Sequence, residues 1–483
     1  MNSVASRWTG VLIAPLLLAG CVLGPNYRPP EPVTLGVPPA YAPPVTATAN
    51  AGEAATSAEA PDLATWWRRL DDPMLSDLIA IATADNLQIA QSLARLAQAR
   101  EARVQAGADL LPTVTGSTSA GENFTHVAGR SSSSTQLSLG ADAAWQADLF
   151  GGLTRGVQAA RAEEAAALFD VEGVRTSIAG EVATNYIDAR LAQARLVIAR
   201  STLSTQDDNL QIARWRVQAG LVSALDVEQA RAQRAQTAAS IPNVETSYLQ
   251  AVARLGTLTG QAPGALRGAM EAAGPIPRGP DAIAIGIPAD ALRRRPDVRR
   301  AERQLAGATA RIGVAKASLF PALSISGNIG SDAATIGKLG SLITGGLFAQ
   351  LAQVIFDGGR RRSQVRSARA GADLAFANYK QTVLSGLEDV ENAEQALQAA
   401  KSRQAQLAIA VDASNNAAIY ARSQYRSGLI DFLSLLQSEQ ALLSARDQLA
   451  SAEADQSRAL VQLYLALGGG WRPDLVISTG NPA

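Results

Sequence analysis

From Leu153 to Ala219 the sequence holds no proline and only three glycines, Gly156, Gly173 and Gly180. Read as one helix rising 1.5 Å per residue, this stretch is about 100 Å long. No compact domain buries a helix of that length. A second such stretch occupies 360–427, where Phe376, Val383, Val390 and Leu397 recur every seven residues as a coiled-coil seam. Small residues such as Ala372, Gly386 and Ala393 fill the neighbouring seam positions. The composition agrees: alanine dominates the apolar residues and aromatics make up 5%. Small side chains let long helices approach one another closely.

The two stretches belong to a duplication. Pro112 and Pro321 lie 209 residues apart, and Gly220 and Gly428, like Gly260 and Gly468, lie 208 apart. A repeated unit of that size is used twice, and its period is far longer than that of a solenoid. The first repeat is read over 73–260. It contains a helix from Pro73 to about Leu110, strands at 113–124 and 136–149, a long helix at 152–219 and a further helix at 223–259 that runs through Pro242. The second repeat is read over 296–468, with a helix from Asp297 to Leu319, strands at 321–330 and 346–356, a long helix at 360–427 and a last helix at 431–467. Arg214-Trp215-Arg216 is matched to Gln424-Tyr425-Arg426 across the two. A Gly- and Pro-rich segment, 261–295, reads as irregular, and 469–483 as a tail.

The strands carry the next constraint. Leu137, Leu139, Ala141, Ala143, Trp145, Ala147 and Leu149 alternate with Gln136, Ser138, Gly140, Asp142, Gln146 and Asp148. Period two with one greasy face, over a length near the roughly 9–11 residues of a tilted membrane strand, predicts a barrel strand. Leu323, Ile325 and Ile329 alternate with Ser324, Ser326 and Asn328 in the same way. The polar loop between the first two strands, with Ser131 to Ser134, carries His126, the only histidine. Four strands cannot close a barrel, and an open sheet in lipid leaves two unsatisfied edges. The chain must oligomerise to eight, twelve or sixteen strands, and a lumen favours twelve or more. The fold class is therefore mainly α with a membrane β-barrel built by several copies.

The N-terminus supplies a location. Residues 1–20 read as a signal peptide: Arg7, then the apolar run Val11 to Leu18, too short to span a bilayer as a helix. Leu18-Ala19-Gly20-Cys21 has the pattern of a bacterial lipobox, with a plain signal peptide as the alternative. Cleavage before Cys21 would expose it for acylation, and each buried methylene would add about 0.8 kcal/mol of anchoring. Residues 21–72, with three Pro-Pro pairs, read as an extended lipid-anchored tether.

Other chemistry finds little support. Lysine plus arginine and aspartate plus glutamate both number 43, so no global field points to nucleic acid. One cysteine and one histidine argue against transition-metal sites and Cys/His or Ser/His nucleophile pairs. Glu163-Glu164 and Asp207-Asp208 diverge by about 100° on a helix and read as solvated faces. Arg293 to Arg295 with Arg299-Arg300 lack interleaved aromatics and read as salt-bridging or surface. Arg360 to Arg362, where a strand leaves the membrane, read as snorkelling cations. No enzyme activity, cofactor or metal is expected beyond the lipid on Cys21.

The segments Gly24-Pro25-Asn26-Tyr27, Trp66-Trp67, Asp72-Pro73-Met74-Leu75, Ile287-Pro288, Arg295-Pro296-Asp297-Val298, Ala301-Glu302, Phe320-Pro321, Phe356-Asp357-Gly358-Gly359 and Leu467-Gly468-Gly469-Gly470-Trp471 occur here in order. With Cys21 they resemble the outer-membrane-factor family, TolC-like, in its lipoprotein branch, over nearly the whole mature chain. The absence of Asp at residue 22 favours sorting to the outer membrane by the same resemblance. It implies a homotrimer in the outer membrane of a Gram-negative bacterium, with a twelve-stranded barrel and a periplasmic helical tunnel. It also implies a periplasmic adaptor and an inner-membrane pump as partners. The tips that meet the adaptor would be the turns at Gly220-Leu221 and Gly428-Leu429. The periplasmic mouth would close near Leu433, with Gln437 where relatives carry an acid and Asp226 and Asp431 close by. A lipid-anchored periplasmic adaptor, or a structural lipoprotein without a pore, is the alternative reading. It would need one hairpin and no duplication. The cargo is not legible in the sequence.

Overall fold

The computed structural model describes residues 22–39, 63–280 and 288–472. The expected signal peptide, Cys21 and residues 40–62 of the expected tether lie outside them. The elements run α1 (Pro73–Asp85), α2 (Leu87–Ala108), β1 (Thr113–Val127), β2 (Arg130–Ala147), α3 (Gly152–Gln218), α4 (Ala224–Leu258), α5 (Pro288–Arg294), α6 (Pro296–Ala317), β3 (Ala322–Ala333), β4 (Thr344–Ala352), α7 (Arg360–Arg426) and α8 (Phe432–Ala466). The chain divides into two compact units. One comprises 22–30, Ala94–Leu168 and Arg300–Gln381; the other comprises the remaining described residues.

The first unit is organised by one antiparallel sheet of order β1-β2-β3-β4. Its register separates two faces. Ala147, Leu323 and Leu351 line up across three strands, as do Trp145, Ile325 and Ala349, and Ala143, Gly327 and Leu347. On the opposite face Gln146, Ser324 and Gln350 align, and Asp142 sits beside Asn328. Phe348, paired with Ser326, is a large apolar exception on that side. The apolar face is solvent-exposed in the single chain, with Leu347 and Leu351 prominent. β1 and β4 each keep one edge without a partner among the described residues.

The first hairpin is longer than the alternation predicts. Instead of 113–124 and 136–149, the ladder continues through the serine run to a two-residue turn, Ala128-Gly129, with φ of 49° and 78°. Two successive positive φ values match the right-handed strand twist, as in a type I′ turn. Backbone pairing needs no alternation, so polar residues on both faces hid it. β2 stops at Ala147 because the Asp148 carboxylate turns to accept from Leu153 N (3.1 Å) and Thr154 N (2.7 Å), opening α3. β4 stops at Ala352, short of the expected 356. Its partner Ala322 follows Pro321, which has no N–H to extend the ladder.

Residues 22–27 are held against this unit. Leu23 N donates to Phe150 O (3.2 Å). Arg155 donates from Nε to Leu23 O (3.1 Å) and from Nη2 to Gly24 O (3.3 Å) and Asn26 Oδ1 (2.8 Å). A Cβ on Gly24 would lie 2.6 Å from Gly313 Cα, so only glycine permits that approach. Tyr27 OH donates to Glu302 Oε1 (3.2 Å), and burial pushes its phenol pKa upward.

The second unit has the apolar core, built on Trp66, Leu75, Ile79, Ile178, Tyr186, Ile187, Leu255, Met270 and Tyr464. The expected extended tether ends well before residue 72: Leu63–Leu70 is a 3₁₀ segment, and Trp66 is fully buried, stacked on Tyr464 at 5.6 Å. The helix expected over 73–110 is broken at Asn86. Its side chain accepts from Gln88 N (2.8 Å) and donates to Leu258 O (2.8 Å), ending α1 and capping α2. The segment read as irregular holds α5, where Pro288 leads the first turn and Asp290 pairs with Arg293. Asp72 caps α1 by accepting from Leu75 N (3.0 Å) and also accepts from Tyr186 OH (2.8 Å). Burial pushes the Tyr186 phenol up to about 12.

Three of the four discounted carboxylates are paired across helices: Glu163 with Arg311, Glu164 with Arg103, and Asp207 with Arg234. Arg295 bridges Asp297 (2.7 Å) and Asp389 (2.8 Å).

Candidate functional site

Both helix–helix turns are built alike from the chain upward. After α3, Leu221 N donates to Arg216 O (2.8 Å) and Gly220 N to Val217 O (3.0 Å). After α7, Leu429 N donates to Gln424 O (2.9 Å) and Gly428 N to Tyr425 O (3.0 Å). This 6→1 and 5→2 pair is a Schellman motif, which requires a left-handed residue. Gly220 and Gly428 supply it, with φ of 71° and 76°. The shared hydrogen bonds also correct the sequence match between repeats. Arg216 corresponds to Gln424 and Val217 to Tyr425, two residues off the Arg214-Trp215-Arg216 match expected from the sequence.

Each turn ends on a side-chain cap. Ser223 Oγ accepts from Leu225 N (2.9 Å) at α4, and Asp431 Oδ1 accepts from Ser434 N (2.9 Å) at α8. These bonds from Ser434 hold the Asp431 carboxyl below the usual carboxylate range. Asp226 sits in the first turn of α4, half-buried. A negative charge there is favoured by the helix dipole. Both acids at the turns thus have local helical roles.

Leu221 and Leu429 stand out into solvent, 69% and 76% exposed. Leu433 and Gln437, one helical turn apart, are exposed on the same face of α8. The opposite face carries Phe432, Leu435 and Leu442, all buried. The structure therefore brings Leu433 and Gln437 onto one exposed stripe, while Asp431 precedes the helix as its cap.

Beneath the turns lies a small core of Leu210, Ala230, Ala421, Tyr425, Phe432 and Leu435. Tyr425 and Phe432 meet at 5.4 Å between ring centroids. The Arg216 guanidinium lies over the Tyr425 ring at 4.5 Å, and its Nη1 donates to Tyr425 O (2.9 Å). The first long hairpin is thereby fixed to the second.

One turn beyond Leu435 the stripe is broken by a charge. The Glu439 side chain is 6% exposed. It accepts from Arg422 Nε (2.9 Å) on α7 and from Asn209 Nδ2 (2.6 Å) on α3. Three helices meet on that carboxylate. Sequence reasoning missed it, although the signal was present: Phe432, Leu435 and Leu442 keep helical core spacing, and Glu439 occupies a core position between them.

With this geometry in place, comparison with known proteins gives a consistent answer. The sequence model described as "Outer membrane efflux protein" matches residues 78–261 and again 287–469, once in each repeat. The chain is 30% identical to Nodulation protein T of Rhizobium leguminosarum bv. trifolii, over 95% of this chain and 96% of that one. It is 31% identical to the pyoverdine export outer membrane protein OpmQ of Pseudomonas putida, over 92% and 95%. The solved outer-membrane channel OprN superposes with a TM-score of 0.84 at 35% identity, covering 94% of this chain and 100% of that one. The duplicated helical hairpins, the four-stranded sheet and these likenesses agree, and the chain belongs to the outer membrane efflux protein family.

Proposed function

We propose that this protein is the outer-membrane duct of a tripartite export system, a passive conduit with no chemistry of its own. The observation that carries this reading is the four-stranded sheet, with one largely apolar face, one largely polar face and, among the described residues, an unpaired edge on each outer strand. Lipid tolerates such a sheet only if further copies complete it. Three copies give twelve strands, enough to leave a channel lined by the polar face. The helices would line the periplasmic part of the duct. An inner-membrane pump and a periplasmic adaptor would deliver the cargo.

The exposed Leu221 and Leu429, each beside a left-handed glycine, are the docking knobs for the adaptor. Leu433 forms an apolar constriction, and Gln437 makes its neighbouring ring neutral where an acid would bind cations. Acylation of Cys21 supplies a second attachment to the outer membrane. The pore-free alternative has no observation in its favour. The test is purification in detergent, mass measurement of the complex and insertion into planar bilayers. A trimer with defined conductance is expected; a monomer without conductance refutes the duct. Labelling with a palmitate analogue, lost in Cys21→Ala, tests the anchor separately.

A further inference from the structure

Phe348 stands on the polar face of the sheet, 61% exposed. The register places Thr113, Ala144, Ser326 and Phe348 in one row across the four strands. An aromatic ring in such a row forgoes the burial that usually accompanies it. Gly346, two residues away on the same strand face, shows how the ring lies. A Cβ built there would come within 2.8 Å of Phe348 Cε2 and Cζ, and within 3.3 Å of Asn328 Oδ1. The ring therefore leans along β4 over Gly346, into the row formed by Thr115, Asp142, Asn328 and Gly346.

That lean leaves the ring's own row low, because Ala144 and Ser326 are short. The rows on either side are taller, with Asp142 and Asn328 in one, and Gln146 and Gln350 in the other. The result is a shallow hollow floored by Ala144 and Ser326, with the Phe348 ring at its β4 end and Asp142 at its β2 end. At about 4.8 Å between strands and about 3.4 Å per residue, it measures roughly 10 Å across and 14 Å along the strands. Charge selects the occupant. The strand residues of this face carry three charges: Asp142, Asp332 and, beside the hairpin turn, Arg130. The Asp142 side chain is exposed and has no partner among the described residues.

We infer that this hollow is a resting site for planar organic cations passing through the barrel. Phe348 takes the flat ring system by stacking and attracts its charge through the π face. Asp142, about two strand spacings away, supplies the countercharge and disfavours anions. The short floor lets a flat molecule lie against the sheet, and the flanking amides of Asn328, Gln146 and Gln350 offer hydrogen bonds to its edge. Exposure to water keeps both attractions weak, as transit requires: the site must hold a passing molecule and also release it.

The inference rests on the proposed duct, since the polar face lines a lumen only in a closed barrel. The test titrates the full assembly, held in zwitterionic lipid nanodiscs, with ethidium, a planar cation, and reads binding by fluorescence anisotropy. Phe348→Leu keeps an apolar side chain without a π face and should weaken binding about fivefold, the scale of one cation–π contact. Phe348→Trp, with a larger π face, should bind at least as tightly as the parent. Asp142→Asn should also weaken binding and flatten its dependence on salt. An assembly that conducts in planar bilayers but binds no ethidium, or binds it equally in the parent, Phe348→Leu and Asp142→Asn, overturns the site and leaves the duct. A parent chain that is monomeric and without conductance overturns both.

Discussion

Replacing Arg422 with Met keeps the side chain's length and removes its charge. Glu439 then remains buried with Asn209 as its one donor. Breaking a buried ion pair from one side costs about 3–5 kcal/mol, because the remaining charge stays out of water. Two observations lower that figure here. Arg422 is 35% exposed, so water can enter behind it, and the 2.6 Å bond from Asn209 persists. About 2–3 kcal/mol is the expected loss, or roughly 30- to 150-fold in the local opening equilibrium at about 1.4 kcal/mol per tenfold. Hydrogen exchange of the purified assembly reads it directly, as faster exchange in 205–213, 418–426 and 432–442. The double variant Arg422→Met/Glu439→Leu removes both charges and should return exchange most of the way to the parent. If the single variant changes rates by less than about threefold, or the double is no better than the single, the carboxylate does not hold the three helices together.

Gly428→Val puts a β-branched side chain at φ 76°, where an L residue costs about 1–2 kcal/mol. Export should fail while the protein still fractionates with the outer membrane, and unchanged export in a compound-sensitivity panel would remove the docking role from this turn. The Asp431 cap has a depressed carboxyl pKa, so its stabilisation is present above the unfolded value and lost as pH falls through the lower folded one. Fraying of α8 on acidification, followed by exchange at 432–436, should disappear in Asp431→Asn, which keeps an acceptor without a titrating charge. Trp66→Ala empties a fully buried site against Tyr464 and should cost about 3–5 kcal/mol, read as a drop in thermal midpoint, with Trp66→Phe losing much less.

The parts legible in the sequence are those that repeat or alternate over many residues. Leu137 to Ala147 gave a strand because each second side chain faces the same medium. Gly220 and Gly428 gave turns because only glycine accepts their φ without cost. What escaped depends on contacts distant in sequence or on backbone alone. Asn86 breaks a continuous helical pattern because it finds Leu258 O, 172 residues away. Trp66 sits beyond a Pro-rich segment and becomes core through Tyr464. The serine run of the first hairpin pairs through its backbone, which leaves no periodic mark. Of the site, the turn glycines and exposed leucines could be read directly. The Glu439 cluster needed three helices brought together, and Asp431, read as an acid near the mouth, spends its carboxylate on Ser434 N as the cap of α8.

The strap of residues 22–27 imposes an order on biosynthesis. Its fastenings come from both repeats: Phe150 O and Arg155 from the first, Gly313 and Glu302 from the second. A nascent chain therefore carries residues 22–27 only partly fastened until α6 has emerged. Residues 22–27 are among the last pieces to settle, and a product truncated before Pro296 keeps their Phe150 and Arg155 contacts but loses those to Gly313 and Glu302.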